Sequence, residues 1–248
     1  MTGTPQPTAA ETEHSAVLGS ATMTDTHWPD YYEVTAERPA WGTVTQAAEA
    51  FPDLPPGAPP RLAVDLGCGA GRDARELLRR GWRVVAVDRT PEGIGKLQAL
   101  TPVEHHDRLE THIADVADFD IPACDLVNAN LILPFLPADA YADTWRRIRD
   151  ALPPGGRFSG MLFGDRDQAA TEEPDMTCPS PEVIRSHLEG FAIERWDEKE
   201  EDGHTALGEP HHFHLIEVVA VREAADGPAA VGRTPVSDSR STHGGAVG

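Results

Sequence analysis

Lysine is almost missing from this chain of 248 residues: it occurs at Lys96 and Lys199 only, and the 21 lysines and arginines face 41 aspartates and glutamates, a formal net charge of −20. A surface that binds a polyanion needs clustered cations, and the arginines here are spread over helix-like faces, so nucleic acid is not an expected partner. Cysteine is scarce as well. Cys68, Cys124 and Cys178 form an odd set without C-x-x-C spacing, which argues against a disulfide framework and a zinc site, leaves the metal-ligand set empty and makes the cytoplasm the expected compartment. No apolar stretch approaches the ~20 residues of a membrane-spanning helix. The first residues carry neither the cationic start nor the apolar run of a signal peptide. Residues 1–27 and 223–248, rich in small and polar side chains, are expected to be disordered tails around one α/β domain over 28–222, long enough for a core of its own.

What is present in strength is the stretch from Arg61 to Gly95, RLAVDLGCGAGRDARELLRRGWRVVAVDRTPEGIG. Leu62–Leu66 and Val84–Val87 have the length and composition of strands buried on both faces. Between them, Ala74, Leu77 and Leu78 share one face of a helix whose arginines lie elsewhere, and Gly81 stands where a left-handed C-terminal residue is wanted. Strand, glycine turn, helix and strand make a right-handed βαβ unit, which places a ligand at the carboxyl edge of its first strand. Glycines at 67, 69 and 71 allow positive φ and a close approach of the backbone to that ligand. Asp88, ending the second strand, is positioned to accept hydrogen bonds from the two hydroxyls of a ribose.

The spacing is Asp65-x-Gly67-x-Gly69-x-Gly71, not the dinucleotide pattern G-x-G-x-x-G. A carboxylate at 65 would repel a pyrophosphate and suits an ammonium or a sulfonium. In these residues the chain resembles the class I S-adenosylmethionine (SAM) methyltransferases. DLVNANLILPF with LPPGGRF extends the likeness to the fourth and fifth strands, and WPDYYEVTAERP with GEPHHFHLIEVVA resembles the tellurite-resistance-type branch of small-molecule methyltransferases. The resemblance implies a doubly wound seven-stranded sheet with its last strand antiparallel, SAM as cofactor, and methyl transfer to a small-molecule acceptor. It also implies an adenine contact at the end of the third strand, at Asp115 or Val116. No N-P-P-Y or D-P-P-Y follows the fourth strand, which lowers amide and base nitrogens as targets and favours a soft or anionic nucleophile: a chalcogen oxyanion, thiolate or phenolate. The alternatives are a SAM-binding protein without methyl transfer and a Rossmann-type oxidoreductase.

Other elements follow from periodicity and punctuation. A helix is expected over Trp41–Phe51, a proline-rich loop over Pro52–Pro60, and a helix opened by Pro91. Strands are expected at 108–114, Asp125–Leu133, Arg157–Phe163, Phe191–Trp196 and His212–Val221. A helix with Tyr141, Trp145, Ile148 and Leu152 on its core face is expected before Pro153, and another is capped by Ser180 and ended by Gly190. The acidic run 194–202 reads as a solvated hairpin face.

Several polar residues ask for a role. Asn128 and Asn130, in an apolar strand, either bond a neighbouring loop or face the reaction centre. The Trp28–Arg38 segment either anchors the N-terminal helix or forms a lid, with Tyr31 or Tyr32 over the cofactor and Arg38 on an anion. His212 and His214 open the antiparallel strand at the ligand edge and point to one face. They either line the acceptor site as proton acceptors or simply bond loop backbone. Cys68 is expected to be a small residue filling the turn.

Overall fold

The computed structural model describes residues 28–224, and the two expected tails lie almost wholly outside them. Helices α1 (Trp28–Thr35) and α2 (Gly42–Glu49) come first. They are followed by β1 (Leu62–Leu66), α3 (Arg72–Arg79), β2 (Arg83–Asp88), α4 (Pro91–Leu100) and β3 (Leu109–Ile113). Then come β4 (Leu126–Asn130), α5 (Ala138–Ala151), β5 (Arg157–Phe163), the short α6 (Ala169–Glu172), α7 (Pro181–His187), β6 (Phe191–His204) and β7 (Pro210–Arg222).

One seven-stranded sheet runs β3-β2-β1-β4-β5-β7-β6. Pairings among β1 to β5 are parallel, and β7 is antiparallel to both β5 and β6. The expected doubly wound sheet with an antiparallel last strand is therefore the fold. Strand order reverses between β1 and β4, so the crevice outside their carboxyl ends is the place for a ligand.

Each face has its own apolar layer. Val44, Ala47, Ala74, Leu77, Leu78 and Leu97 of α2, α3 and α4 pack on one side; Tyr141, Trp145, Ile148 and Ile184 of α5 and α7 pack on the other. The helical spacings in the sequence point these side chains inward as expected. Gly81 and Gly190, at φ 90 and 79, end their helices in the left-handed region; such positions suit a residue without Cβ.

Three expectations need correction. β4 stops at Asn130 instead of continuing to Leu133, because Leu131 takes φ 55 and residues Leu133–Phe135 form a 3-10 turn. An apolar run does not by itself say where a strand ends, and here the run leaves the sheet to cover its edge. The final hairpin is longer than expected: the acidic run lies within β6, a 14-residue edge strand, held by pairing with β7 rather than by burial. Ser180 occupies the N-cap position of α7 with extended backbone but makes no side-chain cap bond.

Candidate functional site

The turn after β1 is built by three positive-φ glycines, at 65°, 50° and 79° for Gly67, Gly69 and Gly71. Their reasons differ. A Cβ on Gly67 would lie 2.5 Å from Ile132, and one on Gly69 would lie 2.9 Å from the Tyr32 ring. A Cβ on Gly71 would instead strike Leu97, so Gly71 lets α3 pack against α4 and makes no ligand wall. Cys68 is buried, and burial first, then the charges of Asp65 and Asp88, push its thiol well up; it fills the turn as an unreactive small residue.

Asp88 braces this turn. Its Oδ2 accepts the Gly69 N–H at 2.8 Å, and its Oδ1 accepts the Thr90 N–H at 2.9 Å and the Thr90 hydroxyl at 2.7 Å. The Tyr32 hydroxyl lies 3.3 Å from the same Oδ1 and 2.9 Å from Thr90 Oγ1. Burial, then the Asp88 charge, push the Tyr32 hydroxyl upward, so it stays protonated. Oδ1 is thereby saturated, while Oδ2 keeps a lone pair for another donor.

Beside the turn lies a cavity of about 310 Å³, within the ~300–1,000 Å³ usual for ligand clefts. Its walls include Gly67, Gly69, Asp88, Asp115, Val116, Asn130, Tyr31 and Tyr32, eight of the expected site residues. They also include Trp28, which opens the expected lid segment, and Arg89, Asp118 and the run Leu131–Pro137 without Leu133 and Pro134, which the sequence reading did not assign to the site. The aromatic density around Trp28 was a usable signal for it. The start of that wall, Leu131 and Ile132, was hidden by reading Asp125–Leu133 as strand.

Asn130 lies on the cavity wall, but its side chain turns into a buried network. Its Nδ2 donates to Asp73 Oδ2 at 2.8 Å and to Asn128 Oδ1 at 3.0 Å, and its Oδ1 accepts from the Thr43 hydroxyl. Asn128, 1 % exposed, donates to Asp65 Oδ1 at 2.8 Å and Asp73 Oδ2 at 3.0 Å, and accepts from Ser159 at 2.7 Å. The partners are side chains of α2, β1, α3, β4 and β5, and neither asparagine bonds a loop backbone. Asp65 is 2 % exposed and absent from the cavity wall. Burial first, and the neighbouring Asp73 second, push its carboxyl well above the usual carboxylate range. Its Oδ1 is tied to Asn128, while its Oδ2 is buried without a hydrogen-bond partner.

The remaining expected residues fall elsewhere. Arg38 donates from Nε to the Val34 carbonyl at the end of α1, in a separate groove with Arg72 and Arg75. His214, its ring wholly buried, accepts the Arg166 backbone N–H on Nδ1 at 3.1 Å, and its Nε2 lies 2.9 Å from the Arg166 guanidinium and 3.1 Å from Glu198. His212 bonds Asp202 at 2.7 Å, and that bond, with Glu200 behind it, raises its pKa. Neither ring lines the cavity. His212 meets Asp202 and Glu200 of the neighbouring strand β6, while His214 meets Glu198 of β6 and bonds the loop backbone at Arg166, which was the alternative expected for it.

Among the described residues no group of three or more His, Cys, Asp or Glu is placed to hold a metal ion, and no helix is long and apolar enough to cross a membrane. The cavity residues do suit SAM. Asp88, Asp115 and Asp118 against the single Arg89 favour a ligand with net positive charge, and Gly67 and Gly69 open the backbone to it.

Comparison with known proteins agrees. Residues 63–156 match a family described as a methyltransferase domain. The chain is 35 % identical over 113 residues to trans-aconitate 2-methyltransferase of Methylobacterium radiotolerans, covering 44 % of this chain and 40 % of that protein. It is 33 % identical over 172 residues to carboxy-S-adenosyl-L-methionine synthase of Psychrobacter sp., covering 65 % and 56 %. The chain thus spans about half the length of these curated relatives. Its fold is similar to that of TehB from Haemophilus influenzae, with TM-score 0.61 at 17 % identity, over 79 % of this chain and 67 % of that one. It is also similar to that of 1,6-didemethyltoxoflavin-N1-methyltransferase of Burkholderia thailandensis, with TM-score 0.54 at 20 % identity, over 80 % and 85 %. At such identities the likeness is one of fold. Motif, fold and family match converge on one statement: residues 63–156 form a class I SAM-dependent methyltransferase domain.

Proposed function

We propose that this chain transfers a methyl group from SAM to a small-molecule acceptor. The observation that carries this reading is the Asp88 carboxylate, fixed to the Gly69 N–H of the turn with an Oδ2 lone pair left beside the cavity. In this reading Oδ2 receives the ribose hydroxyls, Asp115 and Val116 at the end of β3 flank the adenine, and Gly67 and Gly69 underlie the amino-acid part. SAM, once bound, supplies a methyl carbon activated by its sulfonium. The protein then has to hold the acceptor in line with that carbon and keep water out. Trp28, Tyr31 and Tyr32 of α1 roof the cavity and serve the second task.

A small acceptor fits an enclosed cavity roofed by a helix better than a polymer does, and the net charge of −20 disfavours nucleic acid. Three cysteines without disulfides among the described residues fit the cytoplasm. Calorimetry with SAM, S-adenosylhomocysteine and NAD tests the cofactor: the first two should bind and NAD should not. Turnover of methyl-labelled SAM with a panel of small acceptors, read by mass spectrometry, separates a methyltransferase from a SAM-binding protein or an oxidoreductase. SAM binding with no labelled product from any acceptor would overturn the transfer step.

A further inference from the structure

The fold gathers into one groove arginines that the sequence spreads along a helix. Arg72, Arg75 and Arg79 stand at i, i+3 and i+7 on α3 and share a face over ~10 Å, and Arg38 joins them from the link between α1 and α2. His105, of the 3-10 turn Val103–Arg108, closes the other side. The groove encloses about 300 Å³ and shares no lining residue with the cofactor cavity.

Two glutamates stand on the same wall. Glu76 accepts both Arg79 and Arg80 at 2.7 Å, so it and Arg79 neutralise each other. Glu37 is exposed and reaches Arg75 through its charge. Positive charge is left over. Arg75 donates to the Gly71 and Ala36 carbonyls, and Arg72, stacked 4.1 Å over the Trp41 ring, donates to the Pro39 carbonyl. Carbonyls fix these guanidiniums in place without cancelling their charge. Arg72 Nε and Nη1 are buried and have no hydrogen-bond partner; Asp73 Oδ1, 4.0 Å from Nε, already accepts the Trp41 N–H. Burial lowers the pKa of Arg38, and the Arg72 charge beside it pushes the same way. Burial lowers that of Arg75 as well. The positive charge is thus held against desolvation and its own repulsion, and an anion in the groove would relieve both.

The lining also says which anion. Each guanidinium offers a planar fork of donors to a pair of oxygens. Arg72 and Arg75, ~5–6 Å apart at their Cβ atoms, present two such forks in fixed positions, and a lone carboxylate can fill only one. His105 takes Arg108 on Nδ1 at 2.8 Å, which leaves its Nε2–H as a further donor. Linked phosphates carry several charges and oxygens over that span. A nucleic-acid strand is too large for the groove, and the net charge of −20 repels it along the rest of its length.

We infer that the α3 groove is a binding site for a small polyphosphate, either free or as the phosphate chain of a nucleotide, held by Arg72 and Arg75. The site is independent of the SAM reading above.

The test is calorimetry on the full chain at low salt, in saturating S-adenosylhomocysteine, with inorganic triphosphate, ATP and sulfate as probes. Triphosphate should bind once per chain, about tenfold or more tighter than sulfate. ATP binding no tighter than triphosphate assigns the site to free polyphosphate, and tighter binding assigns it to a nucleotide. Arg75→Gln should weaken triphosphate about tenfold. Because Arg75 also holds the end of α1, the deciding variant is Glu37→Gln, which removes a negative charge from the wall and should tighten triphosphate about threefold; misfolding does not produce a gain in affinity. Arg146→Gln on α5, an exposed arginine paired with Asp143 and Asp150, should bind as wild type does. No saturable binding of triphosphate, sulfate binding as tightly, or unchanged affinity in Glu37→Gln overturns the site. Triphosphate that binds only when S-adenosylhomocysteine is left out lies in the cofactor cavity, which overturns it too.

Discussion

At the ends of β1, β2 and β4, the glycine turn, Asp88 and the Leu131–Pro137 segment meet around a cavity. At the β6–β7 hairpin, His212, His214, Arg166, Glu198, Glu200 and Asp202 bond to one another. Both regions are dense in groups able to do chemistry, and both lie toward the ligand edge of the sheet. The difference is in what stands next to them. Where strand order reverses, two neighbouring strands diverge into helices on opposite faces, and polar atoms at their ends are left without cross-strand partners. In the hairpin every residue of β7 faces one of β6, so a histidine meets a carboxylate before it can meet a ligand. Much the same holds beneath the cavity, where Asn128 bonds Asp65, Asp73 and Ser159 between strands and helix, although Asp65 Oδ2 stays without a partner. Chemistry-bearing residues mark a site only where the topology leaves them unpartnered.

That contrast can be broken most sharply at Gly69. A valine there has to adopt the left-handed backbone, at ~1–2 kcal/mol, and to displace the Tyr32 ring, at ~1–3 kcal/mol. SAM affinity should fall on the order of a hundredfold at ~1.4 kcal/mol per decade. Calorimetry on a variant whose circular dichroism is native decides it, and binding within threefold of wild type would remove the turn from the site.

Next in size is Asp88→Ala, which loses the proposed ribose partner and frees the Gly69 and Thr90 N–H groups. Charge-assisted bonds of this kind contribute about 1.5–3 kcal/mol each, so SAM affinity should drop about tenfold or more, with a lowered melting temperature as well. Unchanged affinity would mean that the cavity binds something else.

Asn128→Ala should separate structure from binding. It strips partners from Asp65, Asp73 and Ser159 at once, and urea unfolding should show a loss of about 2–4 kcal/mol, while the SAM affinity of the folded fraction changes less than in Asp88→Ala. A stable variant with poor SAM binding would return Asn128 to the site.

The smallest effects are expected in the hairpin. His212→Gln and His214→Ala should leave SAM affinity and the rate of methyl transfer within about a factor of three, a result that a ten-fold loss of rate in either would contradict. His212 has its pKa raised above 6.5 by the Asp202 bond. Its contribution to stability is therefore fully present below pH 6.5 and is lost as pH rises through the raised value. The melting-temperature gap between wild type and His212→Gln should close over that interval, from a small starting value because the pair is exposed.

The chain of residues from Arg61 to Gly95 determined a great deal by itself. Continuous apolar runs marked β1 and β2, helical spacing marked α3, the three glycines marked a tight turn open to a ligand, and the carboxylate at 88 followed from where β2 had to end. Local rules sufficed because each of those residues interacts within one βαβ unit. What only the tertiary structure decided were the roles of polar residues whose partners lie far along the chain. Asp65 is hydrogen-bonded by Asn128, 63 positions away, and Gly71 is there for Leu97. The turn of Leu131 out of β4 makes a cavity wall from what reads as strand, and the β6–β7 hairpin claims both histidines. Spacing reveals which side chains share a face, but whether such a face meets solvent, ligand or another strand depends on long-range pairing that no local pattern encodes.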